Sequence, residues 1–168
     1  MNVFKTSWYS HRIGRDMPIK VYGHYGFPLL MFPTAAADFE EYERFYLLEM
    51  IRPWLEKGLV KAYSIDSVNG WTWMNSRIHA SERARRHEAY DQYVMQEVVP
   101  FIWLNQGNRD GIYTTGASMG AYHALNFLLR HPTVFGGTVA MSGAYDLTPW
   151  TGGYMDELIY MNSPRHYL

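Results

Sequence analysis

Val3 to Ser10 and Ile19 to Tyr25 are rich in β-branched and aromatic residues, with Gly14-Arg15-Asp16 between them, which predicts two strands joined as a hairpin. Phe27 to Phe32 is a short apolar run that stops at Pro33, the pattern of a buried central strand. Asp38 followed by Glu41 has the spacing of a capping box, so a helix is expected next, with Phe39, Tyr42, Tyr46 and Met50 near one face and its end near Pro53. Leu59 to Val68 reads as the next strand, closed by Asn69-Gly70. Ser81 is placed to cap a long helix whose Tyr90, Tyr93, Val94 and Phe101 share a face. After the polar turn Asn105 to Asp110 come a strand (Gly111 to Thr115), a helix (Ala121 to Arg130) and a strand (Thr138 to Ser142). Beyond Ser142 the chain reads as loop, through Thr148-Pro149-Trp150-Thr151-Gly152-Gly153 to the tail. Strands alternating with helices imply a mostly parallel sheet covered on both faces, in one domain spanning residues 1–168.

The last strand–helix junction carries the chemistry. Gly116-Ala117-Ser118-Met119-Gly120 is a G-x-S-x-G sequence placed between a strand and a helix. At such a turn the serine hydroxyl is lifted off the sheet, and the flanking glycines permit backbone contacts that a Cβ would block. Ser118 is the candidate nucleophile. The backbone N–H of Met119 is one candidate oxyanion donor, and the second is expected from the small-residue loop after the third strand, at Thr34 or Ala35. Trp71 and Trp73, in the loop that follows Asp66, are candidates for lining an acyl pocket, although in so aromatic-rich a chain aromatic packing is the favoured explanation.

A base and an acid are harder to find. In this arrangement both follow the serine in the chain, and only 168 − 118 = 50 residues do so here. His123 lies on the helix that starts at the serine and reads as a packing or surface histidine; His131 reads as a helix-end cation. His166 near the terminus and Asp146 just past a strand end are the remaining base and acid candidates, while His79 and His87 precede the serine and would break the usual chain order.

Composition narrows the classes. The formal net charge is −1, so nothing points to nucleic acid or to an anionic membrane surface. The chain has no cysteine, which excludes disulfides and thiolate chemistry and agrees with a cytoplasmic setting. No apolar run is long enough to span a membrane, and the first residues lack the apolar stretch of a signal peptide. There is no metal-ligand spacing and no phosphate loop, so neither metal nor cofactor is expected.

Taken together, Met17-Pro18-Ile19-Lys20-Val21-Tyr22-Gly23, Phe32-Pro33-Thr34, Tyr63 to Ser67, Arg86-His87 with Tyr90, Glu97-Val98-Val99-Pro100, Gly116 to Ala124, Arg130-His131-Pro132 with Phe135, Met141-Ser142-Gly143 and Tyr160 to Pro164 resemble the esterase family related to esterase D, within the α/β-hydrolases. The resemblance runs over almost the whole chain. It implies a three-layer α/β sandwich, a small ester substrate, Ser118 as nucleophile and Met119 as oxyanion donor. The family's acid and histidine lie in a C-terminal section with no counterpart here, so the domain is expected to be C-terminally truncated. Two readings follow: a serine hydrolase acting on carboxylic esters, or a catalytically silent hydrolase-like domain serving as an oligomeric binding or assembly module. A shortened sheet exposes its last strand as an unpaired edge, which predicts a homo-oligomer joined near Thr138–Ser142.

Overall fold

The computed structural model describes all residues from Met1 to Leu168. The opening strands pair as an antiparallel hairpin, β1 (Val3–Ser10) with β2 (Arg15–Tyr22), through a turn that ends at Gly14 with φ 76°. β2 stops earlier than the residue pattern suggests. At Gly23 the backbone has φ 90°, and a Cβ there would lie 2.9 Å from the Val60 carbonyl oxygen, so the chain turns out of the sheet.

β3 (Phe27–Phe32), β4 (Val60–Ile65), β5 (Ile112–Ala117) and β6 (Phe135–Met141) complete a six-stranded sheet of order β1-β2-β4-β3-β5-β6. β2 meets β4 antiparallel; β4, β3, β5 and β6 run parallel. All six residues of β4 are buried, as expected for a central parallel strand covered on both faces. β6 pairs with β5 alone and forms one edge of the sheet, opposite β1.

One helix was expected after Asp38, and the chain makes three single turns instead: α1 (Glu41–Arg44), α2 (Leu47–Met50) and α3 (Arg52–Glu56). Tyr46 takes a left-handed conformation (φ 58°) and breaks the run, which leaves Tyr46 and Met50 70% and 72% exposed while Tyr42 is buried. The capping box does not form either, because the Glu41 carboxylate is engaged elsewhere, by Thr34.

On the other face lie α4 (Ala80–Tyr93), a π-helical segment (Val94–Val98), α5 (Val99–Gln106) and α6 (Met119–Arg130). His79, not Ser81, caps α4: its ring Nδ1 accepts from the Ser81 N–H. The tail is more ordered than its loop-like sequence suggests. It forms α7 (Thr148–Thr151), α8 (Glu157–Met161, capped by Asp156) and α9 (Pro164–Tyr167). These turns pack outside α4 and α6, with Leu147 and Ile159 buried against Trp73, Ala84 and Tyr122.

Alternation along the strands sorts the core into two layers. Val21, Leu30, Phe32, Tyr63 and Ile65 face α4, α5 and α6, where Tyr90, Tyr93, Ile102 and Phe127 meet them. Tyr22, Met31, Val60 and Ala62 face the three short turns, contributing to a smaller cluster with Tyr42, Leu48 and Leu55. The result is an α/β three-layer sandwich with a mostly parallel sheet. No helix is long and apolar enough to cross a membrane.

Candidate active site

β5 ends and α6 begins within two residues, and backbone crowding dictates which residues can stand there. A Cβ on Gly116 would sit 2.3 Å from the Gly120 carbonyl carbon, and one on Gly120 would sit 2.2 Å from the Phe32 carbonyl oxygen. Only glycine fits at either position. Between them Ser118 adopts φ 54°, ψ −119°, a region that residues with a side chain seldom occupy. The strain is held by its surroundings: the Ser118 N–H donates to the Met141 carbonyl at 3.0 Å, and its own carbonyl accepts from the Tyr122 N–H at 3.1 Å. Ser118 is exposed, and Met119 begins α6. The first-turn amides of α6, Met119 among them, have no acceptor within the helix and lie at its positive end.

A tyrosine fixes this turn against its neighbouring strand. The Tyr42 hydroxyl donates to the Phe32 carbonyl at 2.7 Å and accepts from the Ala117 N–H at 3.1 Å, bridging the ends of β3 and β5. Burial pushes its phenol up to about 12. In sequence Tyr42 reads as one more apolar helix position, and no local signal marks this second duty.

The loop after β3 lies against the same turn, since the Gly120 position also faces the Pro33 carbonyl. The two oxyanion candidates in it differ sharply. The Thr34 N–H donates to Glu41 Oε2 at 2.7 Å and its hydroxyl to Glu41 Oε1 at 2.5 Å, so that amide is occupied by a buried carboxylate. The Ala35 N–H has no acceptor in the protein. Ala35 has φ 34°, and its carbonyl accepts from Ser67 Oγ at 2.6 Å and from Asn69 Nδ2.

The remaining candidates do not converge on Ser118. Asp146 Oδ1 accepts from the Thr148 N–H at 2.9 Å and Oδ2 pairs with Arg165 at 3.3 Å. Its carboxyl is held below the usual range, first by hydrogen bonds from Thr148 and then by Arg165. His166 is exposed, with Nδ1 2.7 Å from Ser163 Oγ. His123 is buried on α6 with Nε2 2.7 Å from Asn69 Oδ1; His131 pairs with Asp91 and His79 with Ser81. The Ser118 hydroxyl therefore has no histidine partner. Trp73 is fully buried between His87 and the residues packed on α8, and Trp71 lies under the Arg86 guanidinium, 5.1 Å from its ring centre. An apolar groove of about 770 Å³ lies elsewhere, on the sheet face away from α6, lined by Phe27, Leu29, Met31, Trp54, Tyr113 and Val139. No three His, Asp or Glu side chains come together in a way that could hold a metal ion.

Solved structures share this architecture. An S-formylglutathione hydrolase from Staphylococcus aureus aligns with a TM-score of 0.68 at 16% identity, over 98% of this chain and 68% of its own. The fluorophosphonate-binding serine hydrolase F of the same organism aligns at 0.61 and 19% identity, over 99% and 66%. An S-formylglutathione hydrolase from Agrobacterium tumefaciens aligns at 0.66 and 14% identity, over 96% and 68%. The chain thus spans about two thirds of the length of these structures, and at such identities the likeness establishes the fold. No curated protein matches the sequence. The family model described as Putative esterase matches residues 10–163, nearly the whole chain, and the protein belongs to that esterase family, on an α/β-hydrolase fold.

Proposed function

We propose that this domain is a serine hydrolase of carboxylic esters, with Ser118 as its nucleophile and the N–H groups of Met119 and Ala35 as its oxyanion donors. The observation that carries the proposal is the Ser118 backbone: φ 54° on an exposed serine, locked between two glycines that admit no side chain. Strain of this kind, costing about 1–3 kcal/mol, persists where the surrounding structure over-determines it, and it clusters at reactive positions. Ser118 Oγ attacks the ester carbonyl, the carbonyl oxygen takes up the negative charge before the two amides, and the alkoxide leaves with a proton to give the acyl-enzyme. Water then attacks that ester, releasing the acid and returning the proton to Ser118. Of Thr34 and Ala35, Ala35 is the better donor, since the Thr34 amide already serves Glu41. The proton acceptor comes from outside the contacts described, from a partner chain or from a rearranged His166 with Asp146.

An activated short-chain ester tests the reading. A pre-steady-state burst of alcohol release, close to one per chain and lost in Ser118→Ala, is expected. No burst from a folded sample at high ester concentration contradicts it.

A second reading is favoured by one observation: no base touches the Ser118 hydroxyl. In that reading the domain is a silent binding or assembly module. Both readings share a proposed contact between copies along β6, whose outer edge is unpaired and whose Val139 is 62% exposed. Sedimentation at tens of micromolar should give a dimer, and Val139→Lys should return it to monomer. A wild-type monomer at that concentration removes the contact.

A further inference from the structure

Ala35 is clamped from both sides, and the clamp leads back to a histidine. The carbonyl of the Thr34–Ala35 peptide accepts from the Ala37 N–H at 2.9 Å, so the N–H of that planar unit points the opposite way, free of any protein acceptor. The next carbonyl, that of Ala35, accepts from Ser67 Oγ and from Asn69 Nδ2. Asn69 is wholly buried, and its orientation is fixed by chemistry. A carbonyl oxygen only accepts, so the NH₂ of Asn69 must face Ala35, and its Oδ1 must face His123 Nε2, 2.7 Å away. His123 Nε2 therefore carries the proton. Its Nδ1 is a buried lone pair without a donor. Burial, with His87 stacked 5.5 Å away, keeps the ring neutral, far below the ordinary histidine range.

We infer that His123 is a positioning residue for the oxyanion loop: its Nε2–H orients the Asn69 amide, Asn69 with Ser67 holds the Ala35 carbonyl, and the Ala35 N–H is thereby kept in its bond-free direction beside the Ser118 turn. The inference rests on Ala35 being an oxyanion donor. It also accounts for two features at once: a left-handed alanine, and a buried histidine with one satisfied and one orphaned nitrogen in an otherwise aromatic layer of Phe32, His87, Tyr90 and Tyr122.

The test compares the full chain with His123→Gln, His123→Leu and Asn69→Asp. Glutamine can place an amide donor where Nε2–H stands, leucine cannot, and aspartate removes the donor to Ala35. Two readouts are taken: the rate of Ser118 acylation by a fluorophosphonate per folded molecule, and ¹⁵N NMR of the Ala35 amide and the His123 ring. The expected result is an Nε2–H tautomer in the wild type. Acylation should be at least tenfold slower, with a displaced Ala35 amide resonance, in His123→Leu and Asn69→Asp; both readouts should stay within about twofold of, or close to, wild type in His123→Gln. An Nδ1–H tautomer, or a folded His123→Leu with wild-type rate and an unmoved Ala35 amide, overturns the inference, as does a His123→Gln that behaves like the leucine variant. If the wild type is not acylated at all, the esterase reading fails, while the Ala35 resonance and its rescue by glutamine still decide whether His123 sets the loop. If His123→Leu does not fold, the glutamine and aspartate variants decide.

Discussion

Gly120→Ala should lower stability by about 3 kcal/mol or more, although alanine is the better helix former. Gly120 lies in the first turn of α6, where replacing glycine by alanine ordinarily gains up to about 1 kcal/mol. Here the new Cβ would meet the Phe32 carbonyl oxygen at 2.2 Å and the Pro33 carbonyl oxygen at 2.8 Å. Both obstacles are backbone, so no flexible side chain can swing aside. Relief requires α6 to move off β3, which would open the Ser118 turn and pull on the Tyr42 bridge. Overpacking of this kind costs about 1–3 kcal/mol where side chains can yield, and more where they cannot. For a chain of this length that is a fall in Tm of roughly 10 °C. Gly116→Ala should act through the same displacement, because its Cβ would strike Gly120. The double variant should therefore cost less than the two single costs added together. A Gly120→Ala variant that melts at or above the wild-type temperature would show that β5, α6 and β3 are not packed this closely.

Acid should destabilise the fold well before the carboxylates are protonated. His87 is fully buried among Trp73, Tyr90, Tyr122 and His123, and neither ring nitrogen has a hydrogen-bond partner. Burial is the main cause that brings it down to about 4 from 6.5, with Arg130 adding to it and Asp91 and Glu88 opposing. His123 is lowered as well. At His87 the unfolded chain takes up a proton as pH falls through 6.5, and the folded chain does not until about pH 4. Between those values the unfolded state binds more protons, so stability rises with pH there and is complete above about 7. For His87 alone the loss by pH 4 is on the order of 3 kcal/mol, and His123 adds to it. Urea melts at pH 7.5, 5.5 and 4.5 should show a steady fall, flattened in His87→Leu. Equal midpoints at pH 7.5 and 4.5 would mean that these rings are solvated or paired in the folded protein.

The parts of this molecule legible in its sequence are those set by neighbours in the chain. β3 follows from an apolar run ended by Pro33, and the Ser118 turn from glycines at fixed spacing between a strand and a helix. What escaped reading depends on partners far away. Asp38 and Glu41 have capping-box spacing, yet the Glu41 carboxylate is drawn to Thr34, and the helix it would have capped breaks at Tyr46. Asn69 looks like half of a turn signal, and only the folded chain reveals it between Ala35 and His123. Trp71 and Trp73 suggested a pocket wall, but a tryptophan in so aromatic a chain is as well used for packing, and Trp73 is buried completely. The last strands and helices explain why the base was not legible. Asp146 and His166 are spent on local partners, Thr148, Arg165 and Ser163, and the sequence offers no histidine whose place in the fold reaches the Ser118 hydroxyl.

Intact-mass measurement after incubation with a fluorophosphonate decides whether Ser118 is a working nucleophile. One adduct per chain is expected, located on Ser118 by peptide mapping and absent from Ser118→Ala. A folded sample that gains no mass after prolonged exposure would contradict it, and the domain would then be a hydrolase scaffold kept for binding.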